Sequence, residues 1–134
     1  MITVDLTKTE LFKSFSEISF DDMYIDLHNE FNCYSIKQLQ TQLTLSFKAS
    51  KNNSRKIQHV EIVFKDVSIR SMNFKIDENN DADWVVDIFY RGRFVDQNEV
   101  LSEVSVEGKY YYYLDFYNDY SFELFSNSVI AEFK

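Results

Sequence analysis

Apolar residues recur with a period of two through the middle of this chain, and that period limits its fold more than any other feature. Leu43, Leu45 and Phe47 alternate, a polar stretch Lys48 to Lys56 follows, and Val60, Ile62 and Phe64 alternate again. Successive side chains of a strand point to opposite faces, so each run gives a strand with one apolar face, and the two are joined by a long loop. Beyond Phe64 the parity changes, with Val67 and Ile69 on odd positions and Met72, Phe74 and Ile76 on even ones. One flat strand cannot hold all of these on one side, so a bulge or corner is required.

Two more hairpins are predicted downstream. Met72, Phe74 and Ile76 can oppose Ile88, Val86 and Trp84 across an acidic tip, Asp77 to Asp83. Between them and the last hairpin, Arg91 to Glu107 reads as an irregular connection, with the alternating Val104 and Val106 starting a strand. In the last hairpin a two-residue turn at Asn118-Asp119 would mix apolar and polar residues on one face, whereas an odd-length loop would not. The predicted loop is Asn118 to Tyr120, which sets Phe116 opposite Phe122 and Leu114 opposite Leu124, and places Asp115 and Glu123 across from each other on the other face.

Helical signals are few. Leu11, Phe12 and Phe15 fall at helical spacing after Thr7, and Glu10 stands three residues beyond Thr7, as in a capping box. A short amphipathic helix is therefore predicted over Thr7 to Ser16. From Ile18 to Leu39 neither period holds, although Ile18 and Phe20 suggest a short strand. The expected fold is mainly β, or α+β with a minor helical part: an antiparallel sheet, sandwich or open barrel with one short N-terminal helix, forming a single domain over 1–134.

Two glycines and no proline leave Asn and Asp to make turns of positive φ, in stretches such as Lys51 to Ser54, Glu78 to Asp81 and Asn118-Asp119. Cys33 is the only cysteine, so no intrachain disulfide forms and a buried, inert thiol is expected. The N-terminal residues lack the pattern of a signal peptide and no run is long enough to span a membrane, which points to the cytoplasm.

Catalytic chemistry finds little support. His28 and His59 read as surface or edge residues, and there is no Gly-x-Ser-x-Gly, Cys-x-x-Cys or His-x-x-x-His. The stretch Asp77 to Asp83 alternates oxygen side chains as a calcium loop does, but Ala82 replaces the required glycine and Ile88 the bidentate glutamate. Gly92 and Gly108 stand too far apart for a phosphate loop. No catalytic residue, metal or cofactor is expected, and pairs among the 22 carboxylates single out no glycosidase site.

A net charge of −8 disfavours nucleic acid and anionic membranes and suits a cationic partner. Tyr90-Arg91-Gly92-Arg93-Phe94 interleaves basic and aromatic residues, but two arginines make a small patch. One constellation remains, on the polar face of the last hairpin: Tyr111, Tyr113, Asp115, Tyr117 and Glu123. Tyrosine offers contact area with a polar handle and carboxylates orient a basic partner, so these five are the candidate protein-binding residues. The competing reading is a strand buried on both faces, because aromatics favour strands whatever their role.

Three stretches carry a family resemblance: Phe15 to Asp22, Val60 to Val67, and Tyr113-Leu114-Asp115-Phe116 through Phe122-Glu123-Leu124-Phe125 to Val129. In that order the chain resembles bacterial immunity proteins of polymorphic toxin systems and similar small acidic β domains. The resemblance implies a non-enzymatic protein that binds and blocks a toxin domain, often a basic one. It transfers no binding residue. The alternatives are a carrier holding a small apolar ligand in a β-sheet cavity, and a structural or homodimeric β domain.

Overall fold

The computed structural model describes residues 2–51, 53, 56–73, 84–117 and 120–134. Two antiparallel sheets carry the fold. The first has the order β1 (Ile2–Asp5), β13 (Ser128–Phe133), β6 (His59–Lys65), β5 (Gln42–Ala49), β4 (Phe31–Leu39). The second runs β7 (Ser68–Asn73), β12 (Tyr120–Ser126), β11 (Tyr110–Phe116), β8 (Val86–Arg91). Among the described residues two small hairpins complete the strands, β2 (Glu17–Phe20) with β3 (Met23–Asp26) and β9 (Phe94–Val95) with β10 (Leu101–Ser102). The one helix among the described residues is a single turn, α1 (Leu27–Glu30), capped by the Asp26 carboxylate, which accepts from the His28 and Asn29 amides.

The alternation places the core as expected. Leu43 pairs with Phe64, Leu45 with Ile62 and Phe47 with Val60, and all six side chains are buried. From the second sheet, Phe89, Tyr112, Leu114, Phe116, Phe122 and Leu124 join them in one core. Phe64 bridges the two sheets, its ring centroid 5.6 Å from that of Phe89 and 5.5 Å from that of Tyr112. Burying a side chain of this size stabilises the fold by about 2–3 kcal/mol. Tyr112 keeps its polar end satisfied by donating from its hydroxyl to the Thr7 carbonyl at 3.1 Å.

The parity change after Phe64 is a corner between the sheets. β6 and β13 pair in the first sheet and the continuing β7 and β12 pair in the second, so one two-stranded ladder bends across both. Asp66 takes a left-handed φ of 55° at the bend. Opposite it, the Ser126 hydroxyl lies 2.6 Å from the Lys65 carbonyl and 2.8 Å from that of Ser128, and the Asn127 amide group donates to Asp66 at 2.5 Å. Lys109, almost fully buried, donates to the Ser68 hydroxyl at 2.9 Å and lies 3.4 Å from the carboxylates of Asp66 and Glu107.

Several expectations are corrected. No helix forms over Thr7 to Ser16, because the edge of β8 takes this segment instead: the Phe12 amide donates to the Arg91 carbonyl and the Phe15 amide to the Phe89 carbonyl. Phe12 is 57% exposed while Phe15 is buried, so the two do not share a face. β7 and β8 do not form a hairpin with one another, since β11 and β12 lie between them and Met72 pairs with Phe122 while Val86 pairs with Phe116. The last hairpin keeps an odd loop and the predicted faces, but its register slides by two residues: Leu114 opposes Phe122 and Phe116 opposes Tyr120. A slide of two leaves every side chain on its own face, so the hydrophobic pattern cannot detect it. Val106 starts no strand, for it is fully exposed in the turn closed by the Gly108 amide on the Ser105 carbonyl. Phe74, Ile76 and the acidic tip Asp77 to Asp83 lie outside the described residues.

Of the stretches expected to turn through positive φ, positions 52, 54, 78–81 and 118–119 lie outside the described residues; among the described residues the residue types are mixed. Asp21 and Asp66 adopt it, but so do Phe12, Gln40 and Glu99.

Candidate functional site

Strand parity and register assemble the outer face of the second sheet. One row across it reads Asn73, Ser121, Asp115, Ile88, and the next reads Ser71, Glu123, Tyr113, Tyr90. A third row joins Ser68, Phe125 and Tyr111. Their partners of opposite parity on β11 and β12 fill the core, which fixes which side chains face outward.

The third row is covered. Phe94 of β9 packs on Tyr111 at 5.6 Å and edge-on against Phe125 at 4.8 Å, leaving Tyr111 only 4% exposed. Arg70 of β7 lies over the Phe94 ring at 5.3 Å and donates to the Val95 carbonyl at 3.2 Å. Beside this cover runs an open groove of about 560 Å³, lined by Val95, Val104, Val106, Phe94 and Phe125 together with polar side chains that include Arg70, Asp96 and Glu107.

The second row carries the charge. Glu123 accepts from the Tyr111 hydroxyl at 2.6 Å and from the Ser71 hydroxyl. These two bonds, with nearby Arg70 contributing, hold its carboxyl below the usual glutamate range despite partial burial, so it is ionised at neutral pH. Tyr90 and Tyr113 stack at 5.4 Å with their rings inclined by 29°. Burial, reinforced by Glu123 at Tyr90 and by Asp115 at Tyr113, pushes both phenols up, and they stay neutral donors. Gly92 makes room for this stack, because a Cβ there would stand 2.6 Å from the Tyr90 ring.

Of the five residues singled out in the sequence, the fold brings Tyr111, Tyr113, Asp115 and Glu123 onto one face. Tyr113, Asp115 and Glu123 are half-buried, while Tyr111 supports Glu123 from beneath the cover. Tyr117 stands apart: it starts the turn after β11, its ring packs on His28 at 5.4 Å, and its hydroxyl is 3.4 Å from His28 Nε2. Asp115 and Glu123 are not directly opposed, since the register gives Asp115 Ser121 and gives Glu123 Tyr113. That removes the like-charge conflict of the expected pairing.

Sequence reading missed Phe12, Tyr90, Ile88 and Ser71 as members of the face. Alternation along β8 could not have placed Ile88 and Tyr90, because Val86 of the same parity is buried and only a register shift, Asp115 pairing with Ile88 but Phe116 with Val86, turns them outward. The helical spacing around Phe12 likewise gave no sign of a sheet face. The arginines beside Tyr90 serve the fold: Arg91 and Arg93 lie 3.8 and 3.9 Å from Glu103, and Arg91 sits over the Tyr110 ring. His28 donates from Nδ1–H to the Val86 carbonyl at 2.7 Å, and His59 packs edge-on to Tyr34. Cys33 is buried. Among the described residues no His, Cys, Asp and Glu side chains cluster as a metal site, and no helix is long and apolar enough to cross a membrane.

Comparison with known proteins returns no matching family model, no matching curated protein and no matching solved structure.

Proposed function

We propose that this chain is a non-enzymatic cytoplasmic binding protein that takes a cationic protein on the outer face of its second sheet, in the manner of an immunity-type inhibitor of a basic toxin domain. The observation that carries the reading is the row Ser71, Glu123, Tyr113, Tyr90, with Asp115 beside it: an ionised carboxylate set among half-buried, neutral tyrosines on a sheet face. Tyrosines in such a place give contact area with little entropy to lose, and the carboxylates steer and orient a positive partner. A net charge of −8 extends that steering over the whole molecule.

The test is binding of the purified chain to the products of the neighbouring reading frames, followed by surface plasmon resonance over a salt series. Affinity is expected to fall as salt rises, mainly through slower association, and Asp115→Lys with Tyr113→Ala is expected to weaken it at least about tenfold. Affinity indifferent to salt and to both substitutions would overturn the assignment of this face.

The groove beneath Val95, Val104 and Val106 favours a second reading, a carrier of a small apolar molecule. Its volume of about 560 Å³ lies within the range of ligand pockets, roughly 300–1,000 Å³. Titration with a fluorescent fatty acid tests it: saturable binding lost in Val104→Asp supports the carrier, and no saturable binding removes it.

A further inference from the structure

We infer that this face selects arginine over lysine in its partner, through an aromatic strip formed by Phe12, Tyr90 and Tyr113 that ends at the carboxylates of Glu123 and Asp115. The inference rests on the preceding assignment of the face to a cationic protein and adds which cation it reads and which residue completes the surface.

Phe12 is the unexpected member. Its backbone is left-handed, with φ of 62°, a conformation that disfavours a bulky side chain. It nevertheless leaves 57% of its surface exposed, so core packing does not account for it. The segment is tied down where it counts: the Phe12 amide donates to the Arg91 carbonyl at 2.8 Å, Ser14 bridges to Tyr90, and the Phe12 ring lies 5.7 Å from that of Tyr90. The row Ser71, Glu123, Tyr113, Tyr90 thereby gains an exposed aromatic end.

Gly92 is the second, independent observation. A Cβ at this position would meet the Tyr90 ring at 2.6 and 3.1 Å and the Phe12 ring at 3.5 Å. The absent side chain is what lets Tyr90 lie over the end of β8 with Phe12 on one side and Tyr113, at 5.4 Å, on the other.

Chemistry then distinguishes the two cations. A guanidinium is flat and weakly hydrated, stacks on aromatic faces, and pairs with a carboxylate through two parallel donors, whereas an ammonium is a compact, strongly hydrated point charge. A strip of rings ending in carboxylates matches the first.

The experiment titrates the full chain with oligo-arginine and with oligo-lysine peptides of equal length at fixed salt, read by calorimetry and by the aromatic NMR signals. Arginine peptide is expected to bind at least about threefold more tightly and to move the Phe12, Tyr90 and Tyr113 signals. Phe12→Ala, whose fold and melting temperature serve as controls, is expected to abolish that preference. Equal affinity for the two peptides, or a preference untouched by Phe12→Ala, overturns the inference. Asp115→Lys separates the two claims: if it weakens both peptides while no arginine preference exists, the face still binds cations and only the arginine reading fails. If neither peptide perturbs these rings, both fail.

Discussion

The Tyr111 hydroxyl donates to Glu123 at 2.6 Å, across a diagonal of the β11–β12 pair. Glu123 lies directly opposite Tyr113, and its other oxygen takes the Ser71 hydroxyl, so the carboxylate is held from both neighbouring strands. Tyr111 is in turn clamped under Phe94. A buried tyrosine thus fixes the position and charge of a half-buried acid that faces out of the sheet.

Tyr111→Phe should keep the packing and remove only the donor. A lost hydrogen bond to a charged group in a partly wet setting is expected to cost about 1 kcal/mol, read as a lower urea midpoint with unchanged slope. The Glu123 carboxyl should titrate closer to the usual glutamate range by NMR. An unchanged Glu123 titration would show that Ser71 alone holds it.

Stability should fall off at both ends of the pH scale. Glu123 and Asp5 are held below their ordinary values of 4.5 and 3.8, Glu123 first by Ser71 and then Tyr111, Asp5 by the side chain and amide of Thr7. Their folded pKa values lie under the unfolded ones, so this stabilisation is present above those ordinary values and is lost as pH falls through the folded ones. Tyr111 and Tyr112 go the other way: burial pushes both phenols well above 10.0, and Glu123 adds to the effect at Tyr111. Their contribution is intact below pH 10.0 and is lost as pH rises beyond it. Melting temperature followed by circular dichroism should show both limbs. A melting temperature that keeps rising below pH 4 would contradict the acid limb.

Gly92→Ala separates the stack from the fold. The added Cβ collides with the ring end of a flexible side chain, so Tyr90 can swing aside at an expected cost of under about 1 kcal/mol. The Tyr113 ring should lose the ring-current shift of its stacked neighbour. A melting temperature that collapses, with Tyr113 unmoved, would place the role of Gly92 in the backbone and not in the stack.

Ser126→Ala tests the corner. Ser126 is fully buried and its hydroxyl is the side-chain donor near the Lys65 and Ser128 carbonyls. Removing it takes one buried donor from the bend, where the Lys65 carbonyl still accepts from the Asn127 amide at 3.1 Å, for a loss of about 1 kcal/mol in chemical denaturation. Loss below a few tenths would mean that the bonds of Asn127 to Asp66 and to the Lys65 carbonyl hold the bend without the hydroxyl.

For β5, β6, β11 and β12 the sequence by itself determined which way the side chains face. A period of two assigns Leu43, Leu45 and Phe47, Val60, Ile62 and Phe64, and Leu114, Phe116, Phe122 and Leu124 to the interior, and burial agrees. It also separated Tyr111, Tyr113, Asp115 and Glu123 onto one outer face, because alternation is a local property of the extended chain. Tertiary structure decided what alternation leaves degenerate. A two-residue slide preserves every face, so only the turn starting at Tyr117 sets Glu123 against Tyr113 and not against Asp115. Strand order is equally silent in the pattern: any apolar face can pack beside any other, and β11 and β12 take the place between β7 and β8. Phe12 shows the limit most clearly, since its spacing suits a helix while the open edge of β8 offers its backbone a partner. That non-local hydrogen bonding, which no local period encodes, turned a residue expected on the apolar face of a helix into the exposed end of the aromatic face.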